Sequence, residues 1–163
     1  MIIIRKGTEQ DIPAALQLVI ELAIYEKAPN EVEVSVEEMT RDFNNNVFDF
    51  FVAELNGEIV GIALYYYKYS TWKGRCIYLD DIIVTEKHRN KGIGYKLIAA
   101  LIELAKKEKV RKLEWQVLKW NTPAIEFYKK LHTHFDDEWL NCKLTYKQLQ
   151  NFNAEKQEMG KRM

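Results

Sequence analysis

Apolar positions in the first third of the chain predict a short strand followed by two helices. Residues 2–5 (IIIR) form a branched apolar run that is typical of a strand. Thr8 with Asp11, and Ser35 with Glu38, resemble capping boxes, and each pair predicts the start of a helix. The first of these helices has apolar side chains at helical spacing, at Ile12, Leu16, Val19 and Ala23.

The middle of the chain predicts three consecutive antiparallel strands. Phe50–Leu55 and Ile59–Tyr69 are rich in aromatic and branched residues, and Asn56-Gly57 between them is a strong hairpin signal. A second turn at Ser70–Gly74 leads to a third strand, Arg75–Thr85. Short turns between neighbouring strands favour a meander in which each strand pairs with the next.

The pattern then alternates between helix and strand. Gly92–Lys107 has an apolar stripe and predicts a helix, Lys112–Leu118 a strand, Thr122–Leu131 a helix and Trp139–Thr145 a last strand. A meander followed by strand–helix–strand–helix is typical of an α+β or mixed α/β domain built on one sheet.

The composition indicates one compact domain. The chain has 163 residues, of which 47% are hydrophobic, and we expect a single domain over residues 1–150 with a frayed polar tail at 151–163. No apolar run reaches the roughly 18–20 residues that span a bilayer, and the N-terminal apolar run is too short for a signal peptide. Cys76 and Cys142 make no disulfide framework and no metal site, so we expect a cytoplasmic location.

The charges are balanced overall but unevenly distributed. The net charge of zero argues against a nucleic-acid binder. Between Gly7 and Glu58, however, there are twelve Asp or Glu against two Lys or Arg, and from Ile59 onwards there are twelve against twenty. This division suggests two differently charged partners on two faces, unless folding interleaves the two sets into an even surface.

A short basic, glycine-containing loop is the sharpest local motif. It consists of Arg89, Asn90, Lys91, Gly92, Ile93 and Gly94, and it lies between a predicted strand and an amphipathic helix. The first turn of a helix presents unpaired N–H groups, and glycine lets an anion approach the backbone closely. The loop therefore predicts a phosphate or pyrophosphate site, with a plain strand–helix turn as the alternative.

Two further groups of residues are candidates for chemistry. Asp80 and Asp81 lie in an otherwise apolar strand, and strict alternation places them on opposite faces of the sheet. They indicate either a site or a pair at a strand edge or sheet end that a nearby backbone group or basic side chain satisfies. Asn121 precedes a predicted helix and is either a simple cap or a ligand contact. Tyr128, within that helix, is either a packing residue or a proton donor. The three histidines show no metal-ligand spacing.

The order of these motifs resembles the GNAT acyltransferases. Arg89, Gly92 and Gly94 match the Arg/Gln-x-x-Gly-x-Gly/Ala loop of that family. Over about residues 2–150 the chain resembles the diamine (spermidine/spermine) N-acetyltransferase branch. The matching stretches are 21–26, 65–66, 69–72, 78–81 and 121–128. The resemblance implies the acyl-CoA N-acyltransferase fold, a mostly antiparallel mixed sheet flanked by helices with splayed parallel strands at the cofactor site.

The resemblance also implies how acetyl-CoA binds and reacts. The pyrophosphate is expected on the amides of residues 89–94, and the pantetheine along Ile82, Ile83 and Val84 with Asn121 beside it. Tyr128 is the expected general acid toward the thiolate, and Asp80 the expected base, directly or through water. Residues matching acceptor-side positions are Tyr25, Glu26, Trp72, Asp80 and Asp81. The expected reaction is direct acetyl transfer in a ternary complex and needs no metal. The expected assembly is a homodimer, and neither nucleic acid nor a membrane is an expected partner.

Five positions depart from the family pattern. Asp80 replaces the usual Glu, which favours proton transfer through water, and Asn90 replaces a common Gly. Ser70 stands where polyamine-specific members have an acid, and His132-Thr133 replace Gly-Ala after the last predicted helix. The acceptor is expected to be a diamine, a polyamine or a lysine-like amino acid. The alternatives are a protein N-terminus or lysine, or a module that binds acyl-CoA without catalysis.

Overall fold

The computed structural model describes residues 1–156 and comprises two compact units, residues 1–117 and a second unit that begins at Leu118. The expectation of one domain over residues 1–150 stays a prediction. The expected frayed tail, 151–163, lies outside the described residues from position 157 onwards.

The first unit contains a five-stranded sheet in the order β1-β2-β3-β4-β5. The strands are β1 (Ile2–Lys6), β2 (Asp49–Leu55), β3 (Glu58–Ser70), β4 (Gly74–Val84) and β5 (Leu113–Glu114). The first four strands pair antiparallel to one another, and β5 pairs parallel to β4. The expected meander and the mixed sheet are therefore confirmed.

The hairpin signal at Asn56-Gly57 gives the tight turn that it predicts. Both residues have positive φ, 51° and 83°, and they join the paired residues Leu55 and Glu58. Asn and Gly are the residues that adopt this backbone conformation at least cost, and a turn of this hand matches the twist of the two strands.

Helices cover both faces of the sheet. In the first unit they are α1 (Ile12–Tyr25), α2 (Val36–Asn44) and α3 (Ile93–Lys107), with short 3-10 turns at Glu9–Asp11, Pro29–Glu31 and Glu86–His88. Both expected caps form, since Asp11 accepts from the Thr8 N–H at 2.8 Å and the Ser35 hydroxyl accepts from the Glu38 N–H at 3.1 Å. Helices α1 and α2 share a core with one face of the sheet, formed by side chains such as Leu16, Phe50, Val52 and Ile62.

Helix α3 packs on the opposite face, where Gly61 allows a close approach. A Cβ atom at Gly61 would lie 2.9 Å from the Ile83 carbonyl oxygen and 3.1 Å from Cδ1 of Leu97 on α3. The neighbour Ile62 points to the α1 face, and successive strand residues alternate between faces. Helix α3 therefore begins directly after β4, across the sheet from α1.

The described part of the second unit is helical, with α4 (Thr122–Lys129) and α5 (Tyr146–Asn151). The expected strand at Trp139–Thr145 is wrong, because this segment pairs with no strand within residues 1–156 and its Trp139 and Leu140 are 72% and 90% exposed. A segment with strand-like residues gains no backbone hydrogen bonds of a sheet when no neighbouring strand pairs with it. Helix α5 begins instead at a capping box formed by Thr145 and Gln148.

Candidate active site

The loop between β4 and α3 has the backbone geometry of an anion site. Gly92 is the N-cap of α3 with φ of 80°, and Asn90 has φ of 62°, so both lie in the left-handed region. Asn tolerates this region better than other residues with side chains, which explains how it replaces Gly here. No side chain caps α3, and the N–H groups of its first turn, at Ile93 and Gly94, have no acceptor within the helix.

The Arg89 side chain ties this loop to the rest of the first unit. Its Nε donates to the Val84 carbonyl at 2.9 Å, and its guanidinium lies 5.2 Å from the centre of the Tyr25 ring. A weak ion pair joins its Nη2 to Oε1 of Glu21 at 3.9 Å. The guanidinium is therefore committed to α1 and to the end of β4, which leaves the loop amides and the exposed lysines, such as Lys91, to attract an anion.

A β-bulge at Asp80 interrupts the pairing of β3 with β4. Leu64 pairs with Asp81 and Tyr65 with Leu79, so Asp80 has no partner on β3. A bulge inserts one residue, bends the strand and increases its twist. The parallel pairing of β4 with β5 ends at Tyr78, directly before the bulge. This explains why β5 is only two residues long, whereas the sequence predicts a strand over Lys112–Leu118.

The bulge places both aspartates on one face, so the expectation of opposite faces is wrong. Residues that pair across antiparallel strands share a face, as do residues two apart in one strand. Leu64 pairs with Asp81, and Tyr66 pairs with Tyr78. Asp81 and Tyr78 therefore share a face although they are three positions apart, an odd number that alternation would place on opposite faces. Asp80 lies on that face too, because the Tyr66 hydroxyl donates to its Oδ1 at 3.5 Å.

Beyond Tyr78, the last residue of β4 that pairs with β5, no strand pairs with this edge of β4 within the described first unit. Thr85 N–H donates to the Val60 carbonyl, so the backbone of Thr85 faces β3. Antiparallel alternation then directs the backbone of Ile83 toward β3 and the backbones of Ile82 and Val84 toward the open edge. The side chain of Ile83 is buried in the core at 3% exposure. The backbone of Ile82 and the N–H of Val84 are therefore directed toward a ligand at this edge, the Val84 carbonyl already accepts from Arg89, and Ile83 supports the strand.

Asp80, Asp81 and Glu26, hereafter the acidic cluster, interact electrostatically at the end of α1. Burial raises the pKa of Asp81 to about 7, and the negative charges of Asp80 and Glu26 add to the effect. Burial also raises the pKa of Glu26. Partial burial also raises the pKa of Asp80, although the hydrogen bond from Tyr66 acts in the opposite direction. A cation bound here would relieve this repulsion.

Two tyrosines beside the acidic cluster were not among the sequence-based candidates. The rings of Tyr66 and Tyr78 stack with their centres 5.4 Å apart, and Tyr66 contacts Asp80. Burial and the nearby Asp80 charge raise the pKa of Tyr66 to about 12, so it stays a hydrogen-bond donor at neutral pH. The hairpin at 70–74 sets the register that pairs these residues, and this register is the signal that could have identified them.

Two expected acceptor residues have other surroundings. Trp72 is 84% exposed in the turn between β3 and β4. Asp80 lies six residues beyond the start of β4 at Gly74, so about 20 Å separates it from Trp72 at 3.3 Å per residue. Tyr25 is 38% exposed, and the Arg89 guanidinium already occupies one face of its ring. The first unit therefore brings Glu26 and the two aspartates together but not Trp72.

Asn121 and Tyr128 belong to the second unit. Asn121 is the N-cap of α4, where its side-chain oxygen accepts from the Ala124 N–H at 3.3 Å, and it is 9% exposed. The capping role considered from the sequence is therefore present. Tyr128 is 6% exposed, and its ring centre lies 5.3 Å from that of Phe127.

Within residues 1–156, no cluster of three His, Cys, Asp or Glu is arranged to hold a metal ion. None of the helices in this part of the chain is long and apolar enough to cross a membrane.

Comparison with known proteins gives consistent matches. Residues 18–133 match the model of the acetyltransferase (GNAT) family. The chain is 41% identical over 140 residues to a thialysine N-epsilon-acetyltransferase of Bos taurus, covering 80% of this chain and 82% of the relative. It is 31% identical over 134 residues to the human spermidine/spermine N(1)-acetyltransferase-like protein 1, covering 77% of this chain and 19% of that protein.

A solved structure supports the fold. The crystal structure of an aminoglycoside acetyltransferase from an uncultured soil metagenomic sample superposes with a TM-score of 0.75 at 24% identity, over 88% of this chain and 95% of that one. The mixed sheet with helices on both faces is therefore the fold expected from the sequence.

Proposed function

The chain belongs to the acetyltransferase (GNAT) family and is an N-acetyltransferase, and from this premise we propose that it acetylates a primary amine of a small cationic acceptor with acetyl-CoA. The observation that carries the proposal is the bulge at Asp80. It ends the pairing of β4 with β5 and turns Asp80 and Asp81 onto one face beside Glu26. One irregularity thus supplies both an open strand edge for the acetyl donor and a negative site for the amine.

The first unit offers groups that suit acetyl-CoA, which the family generally uses. The pyrophosphate suits the uncapped N–H groups at the start of α3, where a Cβ at Gly92 would meet no atom within 4 Å. The amide groups of the pantetheine suit the outward backbone of Ile82 and Val84, because an extended chain can add to an open strand edge. We propose that Asn121 also contacts the pantetheine.

The acceptor must lose a proton before it reacts. A lysine-like amine has a pKa near 10.4 and is protonated at neutral pH. We propose that the acidic cluster holds this ammonium group and that Asp80 accepts its proton, directly or through a water molecule. The positive charge of the ammonium group favours binding of the acceptor, and removal of its proton creates the nucleophilic amine.

The reaction also needs a proton donor and a polarised carbonyl. Acetyl-CoA, when bound, supplies the thioester carbon that the amine attacks. Backbone N–H groups on the open edge of β4 are suited to stabilise the developing oxyanion. We propose that Tyr128 donates its phenolic proton to the sulfur of the leaving thiolate. Attack of the amine on the carbonyl forms the C–N bond and breaks the C–S bond, with no acyl-enzyme.

Among acceptors, we propose lysine-like amino acids first and diamines or polyamines second. The relative at 41% identity is a thialysine acetyltransferase, and a spermidine/spermine acetyltransferase-like protein is more distant at 31%. Ser70 adds no negative charge for the far end of a polyamine. Protein N-termini and protein lysines are the alternative acceptors.

We further propose a homodimer in the cytoplasm. Trp72 lies in the turn before β4, about 20 Å from Asp80, so an acceptor-side role for Trp72 would require the site of a second copy. Light scattering coupled to size-exclusion chromatography tests this proposal, and a mass of one chain at micromolar concentration would contradict it.

The experiment that tests the function measures release of the CoA thiol from acetyl-CoA in the presence of single acceptors. The panel contains lysine, thialysine, ornithine, putrescine, spermidine and a lysine-containing peptide. Saturable release with a small amine supports the proposal, and preference for the peptide supports the alternative acceptor. Binding of acetyl-CoA without release by any amine would identify a non-catalytic module.

A further inference from the structure

Glu21 on α1 makes contacts that no role assigned so far explains. Its Oε1 accepts from the backbone N–H of Glu86 at 2.9 Å, and its Oε2 accepts from the Thr85 hydroxyl at 3.1 Å. The same carboxylate forms the weak ion pair with Arg89 at 3.9 Å. Three residues of the segment between β4 and α3 therefore converge on one side chain that is more than 60 residues away in sequence.

These contacts fix the segment that leads into the anion-binding loop. Thr85 is the N-cap of the 3-10 turn Glu86–His88, and Arg89 is the residue that ends it. Arg89 in turn donates to the Val84 carbonyl and lies over Tyr25, one turn beyond Glu21 on α1. The start of the loop is thus held between the last turns of α1 and the end of β4.

Charge alone would make this carboxylate unfavourable for anion binding. A negative side chain near a pyrophosphate site repels the ligand, although solvent weakens the repulsion because Glu21 is about one-third exposed. Hydrogen bonds to a carboxylate are stronger than those to a neutral acceptor, and they order the backbone that they contact. Repulsion and ordering therefore predict opposite effects of removing Glu21.

We propose that Glu21 is a positioning residue for acetyl-CoA, acting through Thr85, Glu86 and Arg89 to hold the loop of residues 89–94 in its binding conformation. The inference rests on the proposed function. It assigns α1 a second role, since the helix that ends at the acidic cluster also sets the geometry of the loop. Glu21 does not touch the reacting atoms in this proposal.

Three variants separate ordering from repulsion. Glu21→Ala removes both the hydrogen bonds and the charge, and Ala preserves the helix. Glu21→Gln removes the charge but keeps an acceptor for the Glu86 N–H and a group that can pair with the Thr85 hydroxyl. Glu86→Ala is the matched control, because Glu86 contributes its backbone N–H and not its carboxylate to these contacts.

Calorimetric titration with acetyl-CoA gives the deciding measurement. We expect Glu21→Ala to raise the dissociation constant roughly tenfold, as for the loss of hydrogen bonds to a charged group. We expect Glu21→Gln to stay within about threefold of the wild type, since it retains hydrogen bonds. Glu86→Ala should leave binding unchanged or slightly tighter. If both Glu21 variants bind acetyl-CoA as tightly as the wild type or more tightly, the inference is wrong.

Further readouts distinguish positioning from a loss of folding. Glu21→Ala should raise KM for acetyl-CoA with little change in KM for the amine, whereas partial unfolding would lower only the active fraction. Thr85→Val removes one donor and should weaken binding in the same direction. In a double-mutant cycle with Glu21→Ala the two effects should be less than additive. If wild-type protein itself does not bind acetyl-CoA, the proposed function fails and not this inference alone.

Discussion

At the scale of single residues, the proposed binding of the amine depends on how the protein holds negative charge near Asp81. Asp81 is partly buried beside Asp80 and Glu26, and its pKa is about 7. The cluster therefore carries a proton over part of the neutral range, and a bound ammonium group would replace that proton. Binding of the amine and ionisation of Asp81 are expected to be linked.

This linkage predicts the pH dependence of KM for the amine. Because the pKa of Asp81 is raised, its negative charge appears only as the pH rises through about 7. We expect KM for a lysine-like acceptor to fall as the pH rises from 6 to 8, and Asp81→Asn to raise KM and abolish this step. Initial rates at fixed saturating acetyl-CoA give the profile.

The same pKa supplies a control on the stability of Asp81→Asn. The folded protein holds a proton that the unfolded chain releases near pH 4, so the free energy of unfolding should fall as the pH rises from about 4 to about 7. Asp81→Asn should therefore melt at a higher temperature than the wild type at pH 8. A variant that melts lower at pH 8, or a KM step that survives the substitution, would contradict the role of Asp81.

A second residue-scale prediction concerns Tyr128. If Tyr128 donates the proton to the thiolate, Tyr128→Phe should lower kcat by about 10²-fold, within the range of general acid catalysis, with little change in KM for acetyl-CoA. Phe preserves the packing of a side chain that is 6% exposed, so the melting temperature reports whether folding is intact. An unchanged kcat would remove Tyr128 from the mechanism.

At the scale of elements, the sequence anticipated the hairpins, the caps and the glycine-containing turn between β4 and α3, because each has a local signature. The Asn56-Gly57 turn and the Thr8/Asp11 box can each be recognised from four or fewer consecutive residues. The bulge at Asp80 has no such signature, since alternation alone does not tell where one residue is inserted. Because the sequence does not reveal the bulge, alternation wrongly predicted that the two aspartates lie on opposite faces.

The loop before α3 gives a prediction at this scale. Gly92 has φ of 80°, which strains any residue with a Cβ by about 1 kcal/mol even where space is free. We expect Gly92→Ala to weaken acetyl-CoA binding and to lower the melting temperature. Asn90→Gly is the matched control, because φ of 62° suits Gly at least as well as Asn. Equal binding by both variants and the wild type would argue against an anion site in this loop.

At the scale of the whole molecule, the sequence predicted the fold class and the family, and it failed where pairing depends on distant elements. The strand expected at Trp139–Thr145 has suitable residues but no partner in the described chain. Strand formation depends on neighbours as much as on composition. The uneven charge has a clearer interpretation: the acidic segment contributes Glu26 to the acidic cluster, and the basic part contains the loop that we propose for the pyrophosphate.

This distribution predicts electrostatic steering of the acceptor. An acidic site attracts a cation over about a Debye length, roughly 10 Å at 0.1 M salt. We expect kcat/KM for a diamine to fall as sodium chloride is raised from 20 to 300 mM, with a smaller change in kcat. Asp81→Asn should flatten this dependence. Insensitivity of the wild type to ionic strength would leave the charge distribution without a role in acceptor binding.

The central claim is that the acidic cluster at the bulge of β4 holds the amine that receives the acetyl group. A crystal structure with coenzyme A and the best acceptor of the panel tests it most directly. We expect the acceptor amine to lie within hydrogen-bond distance of the Asp80 carboxylate, or one water molecule away, and the pantetheine to lie along Ile82 and Val84. An acceptor bound away from Asp80, Asp81 and Glu26 would contradict it.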